Sequence, residues 1–175
     1  TTGGIAMSDN SSFKMTAGEI CGNDGLYGAG IMLLRGAKAE ITGGSIWGNM
    51  GTGLLVDGGE ATLKNCVVAD NAVELTYSLF SEMGGGIHIA SGTVTAENLT
   101  LRGNTTEGGP AGIYQGGTLN LRGEATSFDA DQTVYLKGDK TINVTGSLPS
   151  EACIPLDMDR DESIFKAGRA VVSFA

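Results

Sequence analysis

Two short signatures recur along this chain at an almost fixed separation, and that separation limits the possible folds more than any other property. The first is a glycine opening a short apolar stretch: Gly4-Ile5-Ala6-Met7, Gly30-Ile31-Met32-Leu33, Gly53-Leu54-Leu55-Val56, Gly86-Ile87-His88-Ile89 and Gly112-Ile113-Tyr114-Gln115. The second is an apolar residue three places before an asparagine: Ile20 and Asn23, Ile46 and Asn49, Val68 and Asn71, Leu101 and Asn104. From glycine to asparagine the distances are 19, 19, 18 and 18 residues, whereas from one glycine anchor to the next they are 26, 23, 33 and 26. A nearly rigid block joined by segments of variable length marks a structural repeat, with constant coils and variable loops. A fifth unit ends less cleanly, with Phe128 and Asp131 in the places of the apolar residue and the asparagine. A sixth is legible as Val134-Tyr135-Leu136 followed by Ile142-Asn143-Val144.

Within a unit the hydrophobic period is two. Counting back from each asparagine, positions −10, −8, −5 and −3 read Phe13, Met15, Gly18, Ile20; then Ala39, Ile41, Gly44, Ile46; then Ala61, Leu63, Cys66, Val68; then Val94, Ala96, Leu99, Leu101. Polar residues such as Lys14, Glu40, Thr62 and Thr95 fall between them. Such alternation predicts strands with one buried face. The phase breaks at −6, at Ala17, Gly43, Asn65 and Asn98, where glycine and asparagine suit a corner. Each unit thus holds three short strands and three corners. One unit alone cannot bury its apolar face, but stacked units can. The reading is an all-β, right-handed, single-stranded parallel β-helix of about six to seven coils, roughly 30 Å long at about 4.8 Å per coil. Equivalent residues then lie above one another, and Asn23, Asn49, Asn71 and Asn104 form a hydrogen-bonded ladder. Propeller blades need about 40 or more residues, and leucine-rich repeats need a leucine spacing that is absent.

Composition agrees. The 29 glycines show no Gly-X-Y period, which excludes collagen, and they argue against long helices. An apolar content of 41% is too high for a disordered chain. The net charge of −9 with no basic patch argues against nucleic acid and anionic membranes as partners, and no apolar run is long enough for membrane insertion. The chain reads as one domain over residues 1–175, with regular coils over 1–147. Residues 148–175 are either degenerate coils with a partial cap, the favoured reading, or the start of a following domain. Because TTGGIAM already belongs to the repeat, the chain is expected to be a piece of a larger protein and to continue into other domains.

The stretches GGGIHIASGTVTAENLTLRGN and GAGIMLLRGAKAEITGGSIWGN resemble repeats of bacterial cell-surface and secreted proteins of the right-handed β-helix, pectate-lyase-like superfamily. The pairing of Gly-Gly-apolar with apolar-x-x-Asn is similar to the repeats of chlamydial polymorphic outer-membrane proteins. The resemblance covers about residues 1–145. It implies an extracellular, envelope-attached protein, and it says almost nothing about activity, because one scaffold carries enzymes, adhesins and passive stalks. The expectation is a non-catalytic surface β-helix serving as adhesin or stalk, with glycans or host surface proteins as partners. The alternative is a polysaccharide lyase or glycoside hydrolase of the same superfamily.

The residue two after each glycine anchor points outward, and this column reads Ala6, Met32, Leu55, His88, Tyr114 and Tyr135. A stripe ending in His88, Tyr114 and Tyr135 is a candidate ligand-binding surface, because aromatic rings suit the C–H faces of sugars. The competing reading is that something covers the stripe. The longest insertion, AVELTYSLFSEM over residues 72–83, offers Leu75, Tyr77, Leu79, Phe80 and Met83 for a short helix or lid. Catalytic residues are not assigned. His88 is the single histidine, too few for a triad or a two-histidine metal site, and no acidic column suggests paired carboxylates. Glu40 over Lys14 reads as a surface ion pair, and Lys64 lies beneath Glu97. No cofactor and no metal site are expected: DMDRDES, residues 157–163, lacks the glycine and the final glutamate of a calcium loop. Cys21, Cys66 and Cys153 match no zinc spacing and read as isolated small apolar residues. Four N-x-S/T sequons, at Asn10, Asn98, Asn104 and Asn143, carry no assigned role.

Overall fold

The structure, a computed structural model, describes residues 3–74, 83–158 and 172–174. Its strands all pair in parallel and fall into three sheets that the chain visits in rotation. Sheet 1 carries the glycine-anchored strands Ile5–Met7, Asp24–Leu34, Met50–Asp57, Ile87–Ile89, Ile113–Gln115, Val134–Leu136 and Leu156–Met158, with two short strands, Ala72–Val73 and Thr105–Thr106, beside it. Sheet 2 holds the alternating strands Ser12–Met15, Lys38–Thr42, Gly59–Lys64, Gly92–Glu97, Thr118–Arg122, Ile142–Val144 and Val172–Phe174. Sheet 3 holds Glu19–Cys21, Ser45–Trp47, Val67–Ala69, Thr100–Arg102 and Ser127–Phe128. The chain is therefore a β-solenoid. Among the described residues sheets 1 and 2 have seven rungs and sheet 3 has five, the last at Ser127–Phe128.

Period-two alternation places one face of every strand inside. Ile41, Leu63, Val94, Ala96, Leu99 and Leu101 are buried in one continuous cluster that also takes in Ile31, Leu54, Ile87 and Ile113 from sheet 1. Each such leucine or isoleucine contributes about 1.5–3 kcal/mol by leaving water. Ile5, Met7, Phe13 and Met15 of the first coil are partly buried and pack against the same cluster. Cys66 belongs to the core, where burial pushes its thiol pKa up. Cys21 and Cys153 are exposed, contrary to their reading as small apolar residues, since Cys21 sits on the outward phase of its strand beside Trp47.

The two sequence anchors meet in space. A Cβ on Gly53 would stand 2.7 Å from Asn71 Nδ2 and 2.8 Å from the carbonyl oxygen of Gly86. On Gly86 it would stand 3.0 Å from Asn104 Nδ2, and on Gly4 3.1 Å from Asn23 Nδ2. At Gly4, Gly53 and Gly86 the asparagine closing the same coil and a carbonyl of the next coil together fill the space of a side chain, whereas at Gly30 the Gly53 carbonyl and Ile46 Cγ2 fill it. The near-constant 18 or 19 residues between the anchors are the length of one closed turn.

Asn23, Asn49, Asn71 and Asn104 lie in one column. Each Nδ2 donates to the next amide oxygen, at 2.8, 2.8 and 2.9 Å, and the backbone N–H of each residue donates to that same oxygen at 3.1–3.2 Å. Each of Asn49, Asn71 and Asn104 also donates to a carbonyl of the coil before, from Ile20, Ile46 and Val68. The last three asparagines are fully buried, with every amide atom partnered. The fifth member is Gln132, not Asp131: Asn104 Nδ2 donates to Gln132 Oε1 at 2.8 Å. Gln132 stands four residues after Phe128, so the interval slips by one and a longer amide makes up the reach. Asp131, at the regular interval of three after Phe128, stays outside the column. It lies exposed and accepts from Gln132 Nε2 at 3.0 Å.

Corners also depart from expectation. At the −6 position Gly43, Asn65 and Asn98 have positive φ, but Ala17 does not, and Gly18 makes that turn instead. A second corner, unforeseen, immediately precedes the ladder. Gly22, Gly48, Asp70 and Gly103 all take left-handed φ of 53–65°, which turns each asparagine side chain inward. Slack between units takes two forms. In the second coil it is absorbed by bulges in Asp24–Leu34, where the register shifts between Asp24 and Gly28 and again between Gly28 and Ile31. In the fourth it is the 72–83 insertion.

Candidate functional site

Sheet 1 puts its outward residues in register. Ala6 pairs with Met32, Met32 with Leu55, Leu55 with His88, His88 with Tyr114, and Tyr114 with Tyr135. The column continues to Asp157, which pairs with Tyr135. Strand pairing holds the Cα atoms at the spacing that suits stacked rings. His88 and Tyr114 lie 4.4 Å apart and within 4° of parallel; Tyr114 and Tyr135 lie 5.6 Å apart at 18°. Lys137 places Nζ 5.8 Å from the Tyr114 ring centre, a cation–π contact. Backbone N–H of Gly84 donates to His88 Nδ1 at 3.3 Å, which fixes that nitrogen as the acceptor of the ring.

This geometry alters the expected mode of contact. Tyr114 is buried, with His88 and Tyr135 stacked along the column on either side of it. Its ring faces are already used, so a sugar would meet its edge and hydroxyl rather than a bare face. The lower part of the column is covered. Leu55, Val73 and Met83 form a small buried cluster outside the coil, flanked by Tyr27, Met32 and Leu34. Of the insertion's apolar residues singled out for a cover, Met83 is described and Leu75, Tyr77, Leu79 and Phe80 lie outside the described residues; Val73, from the start of the same insertion, joins Met83. Tyr27, raised by the bulged strand, joins the cover without having been singled out in the sequence.

Two grooves flank the column and share Tyr114 as a wall. One, of about 580 Å³, is lined by Tyr27, Met32, Leu55, Met83, His88 and Lys137 among others, and is mostly apolar. The other, of about 550 Å³, runs between Tyr135 and the loop from Glu107 to Ala111 and includes Asp131, Thr133 and Asp157. Three carboxylates thus gather where sequence reading saw no acidic column. They come from different levels: Glu107 from the loop after Thr105–Thr106, Asp131 from the turn before the sixth rung, and Asp157 from the seventh. Only Asp157 carried a sequence signal, since Leu156-Asp157-Met158 repeats the phase of Val134-Tyr135-Leu136.

Elsewhere the outer charges are paired between coils. Lys14 meets Glu40 at 3.0 Å and Lys38 meets Glu60 at 3.0 Å. Glu97 is clasped from both sides, by Lys64 at 2.8 Å and Arg122 at 2.9 Å. The hydrogen bond from Lys64, with the charges of Lys64 and Arg122, holds the Glu97 carboxyl below the usual carboxylate range. Among the described residues no group of three or more His, Cys, Asp or Glu is arranged to hold a metal ion. Of the calcium-loop-like residues 157–163 only Asp157 and Met158 are described.

An amide column inside, an aromatic column outside and parallel pairing throughout define a parallel β-solenoid with one differentiated face. Residues 1–126 match the family model described as "Right handed beta helix region", and the chain belongs to that family. No curated protein and no solved structure matches it.

Proposed function

We propose that this chain is a non-catalytic β-helical segment of an extracellular bacterial surface protein, and that the face bearing His88, Tyr114 and Tyr135 binds glycans of a host or its diet. The observation that carries this reading is the groove beside Tyr114 and Tyr135. There, two ring edges and a small-residue loop supply apolar contact, while Asp131, Thr133 and Asp157 supply hydrogen-bond acceptors for hydroxyls. That mixture is the chemistry by which proteins hold sugars. The repeats' likeness to those of pectate-lyase-like and polymorphic outer-membrane proteins supports the compartment. A glycan and mucin array probed with the wild-type chain and with Tyr135→Ala tests the binding. A set of bound glycans that the variant no longer retains is expected; unchanged binding would clear the column of any role.

The gathered carboxylates favour one second reading, a glycan-active enzyme. Glycosidases work with two carboxylates across a cleft. Incubation with neutral glycans and polyuronates, with and without calcium, is expected to release no new reducing or unsaturated ends. Product that disappears in Asp131→Asn or Asp157→Asn would overturn the non-catalytic assignment.

A further inference from the structure

We infer that the gap in sheet 3 beside the sixth coil is a strand-docking site, in which an extended peptide with a basic side chain pairs in parallel with Phe128 and supplies the missing rung. This site belongs to sheet 3, apart from the glycan-binding face on sheet 1, and does not depend on it.

Three features carry it. First, the gap lies within the rod. Sheets 1 and 2 go on to a sixth and a seventh rung, whereas residues 145–155, the third side of the sixth coil, form no strand. Pro149 and Pro155 lack the N–H that a central strand must donate. Leu148 and Ile154 pack on the core towards the two ends of this stretch. Between them a turn, closed by the Ala152 N–H on the Pro149 carbonyl at 3.0 Å, leaves Glu151, Ala152 and Cys153 exposed.

Second, the last strand of sheet 3 holds two buried backbone groups without partners. Ser127 and Asp129 donate to the carbonyls of Leu99 and Leu101 in the coil before, at 2.9 and 3.0 Å. In a parallel pair the residue between two such donors turns its own N–H and C=O to the other side, so those of Phe128 face the sixth coil. Neither makes a hydrogen bond among the described residues, although Phe128 is only 9% exposed. Buried backbone groups are nearly always paired. A donor and an acceptor side by side on one strand edge are the demand that an added strand meets.

Third, a groove of about 340 Å³ opens beside this edge, between Glu124, Ala125 and Phe128 on one wall and Pro149, Glu151 and Ala152 on the other. Its volume falls within the range of small binding sites, about 300–1,000 Å³. Elsewhere the carboxylates of Glu40, Glu60 and Glu97 meet a lysine or arginine of a neighbouring coil. Glu124 and Glu151 form no hydrogen bond or ion pair among the described residues. A basic side chain on the incoming strand meets that charge, and an acidic one is repelled.

The test uses the 175-residue chain, amide hydrogen exchange followed by NMR, and three peptides with capped ends. One has the sequence of Asn98–Asn104, which contains the chain's own Thr100–Arg102 rung. The second carries Arg102→Glu. The third is N-methylated at Arg102, whose N–H the pairing aims at the Phe128 carbonyl. In the free chain the Phe128 N–H is expected to exchange about a hundredfold faster than those of Ser127 and Asp129 on either side. Saturation with the first peptide is expected to slow it about tenfold or more. The glutamate peptide is expected to bind about tenfold more weakly, and the methylated one to give no protection. Ala152→Trp, which fills the groove from an exposed position, is expected to abolish binding with an unchanged melting temperature. A Phe128 N–H as slow in the free chain as its neighbours would overturn the open edge. Exchange that no peptide slows would mean that water alone serves these groups, and the docking site would fall. Equal affinity for the glutamate peptide would overturn the preference for a basic partner. Protection by the methylated peptide, or full binding to Ala152→Trp, would remove the peptide from this edge.

Discussion

The inner amide column and the outer aromatic column climb the same coils, yet one keeps its residue type while the other changes at nearly every step. Inside, four asparagines and a glutamine occupy five successive levels. Outside, the sequence runs Ala6, Met32, Leu55, His88, Tyr114, Tyr135, Asp157. The difference follows from burial and hydrogen-bond demand. From Asn49 to Asn104 each side chain accepts two bonds from the level below while donating to the amide oxygen above and to a carbonyl of the coil before, with no water to substitute, and only a primary amide does all of this. At the outer levels any residue that tolerates a strand will stand in the column. The inner column fixes the repeat, and the outer one is free to diversify along the rod.

The largest test of this contrast is Asn71→Asp, which keeps shape but removes both donors and buries a charge among carbonyls. It is expected to cost about 3–5 kcal/mol in urea unfolding, the range for an uncompensated buried charge. Asn71→Ala, which strands partners on Asn49, Asn104 and the Ile46 carbonyl, should cost about 3 kcal/mol. A near-neutral Asn71→Asp would mean that the ladder is decorative.

A second comparison sets two turn glycines against each other. Gly92 has φ of 88°, and an added Cβ would press on the backbone of Gly59 in the coil below; Gly92→Ala should cost about 2 kcal/mol. Gly48 has φ of 61° with nothing near its missing Cβ, and Asp70 occupies the equivalent corner, so Gly48→Asn should stay within about 0.5 kcal/mol. Equal losses at both would show that conformation, not contact, sets the tolerance.

On the outer column the expected effect is smaller. Tyr114→Leu keeps the apolar bulk but loses the ring stack with His88 and Tyr135, worth about 1 kcal/mol in thermal or urea unfolding. A loss as large as that at Asn71 would abolish the distinction between the columns.

The smallest effect is set by the surface ion pairs. Lowered chiefly by the hydrogen bond from Lys64, the Glu97 carboxyl contributes its full stabilisation above its unfolded pKa, about 4.3, and loses it as pH falls through the lower folded value. Glu97→Gln should therefore shallow the acid limb of the stability profile slightly below about pH 4.3 and change nothing in its slope near neutrality. Urea midpoints across that range measure it. A steeper acid limb in the variant would reverse the sign.

Much of this fold was legible because the coil closes on a contact between two residues that the sequence marks plainly, glycine and asparagine. The core was legible because every strand obeys the same period. What escaped has physical reasons too. Gln132 was missed because a longer side chain let the spacing slip by one, and the rule matched Asp131 by distance alone. The corner before each asparagine was hidden by sharing its glycines with the general excess of that residue. The column itself could be read by counting, and the His88, Tyr114 and Tyr135 stack is a consequence of register. The acidic groove could not, because Glu107 sits in a loop whose course depends on packing, and Asp131 was assigned to the ladder.

The amides of the inner column all face one way, which gives the rod a polarity. Asn23 Oδ1 takes no donor within the described structure, whereas Gln132 folds its Nε2 back onto the carbonyl of Asn104 at 3.2 Å. A duplicated unit spliced between Asn23 and Asn104 would arrive with a plug at one end and a socket at the other, so lengthening by tandem duplication needs no new joint. Beyond Gln132 the socket is shut, and any further growth there would have to invent its own fastening.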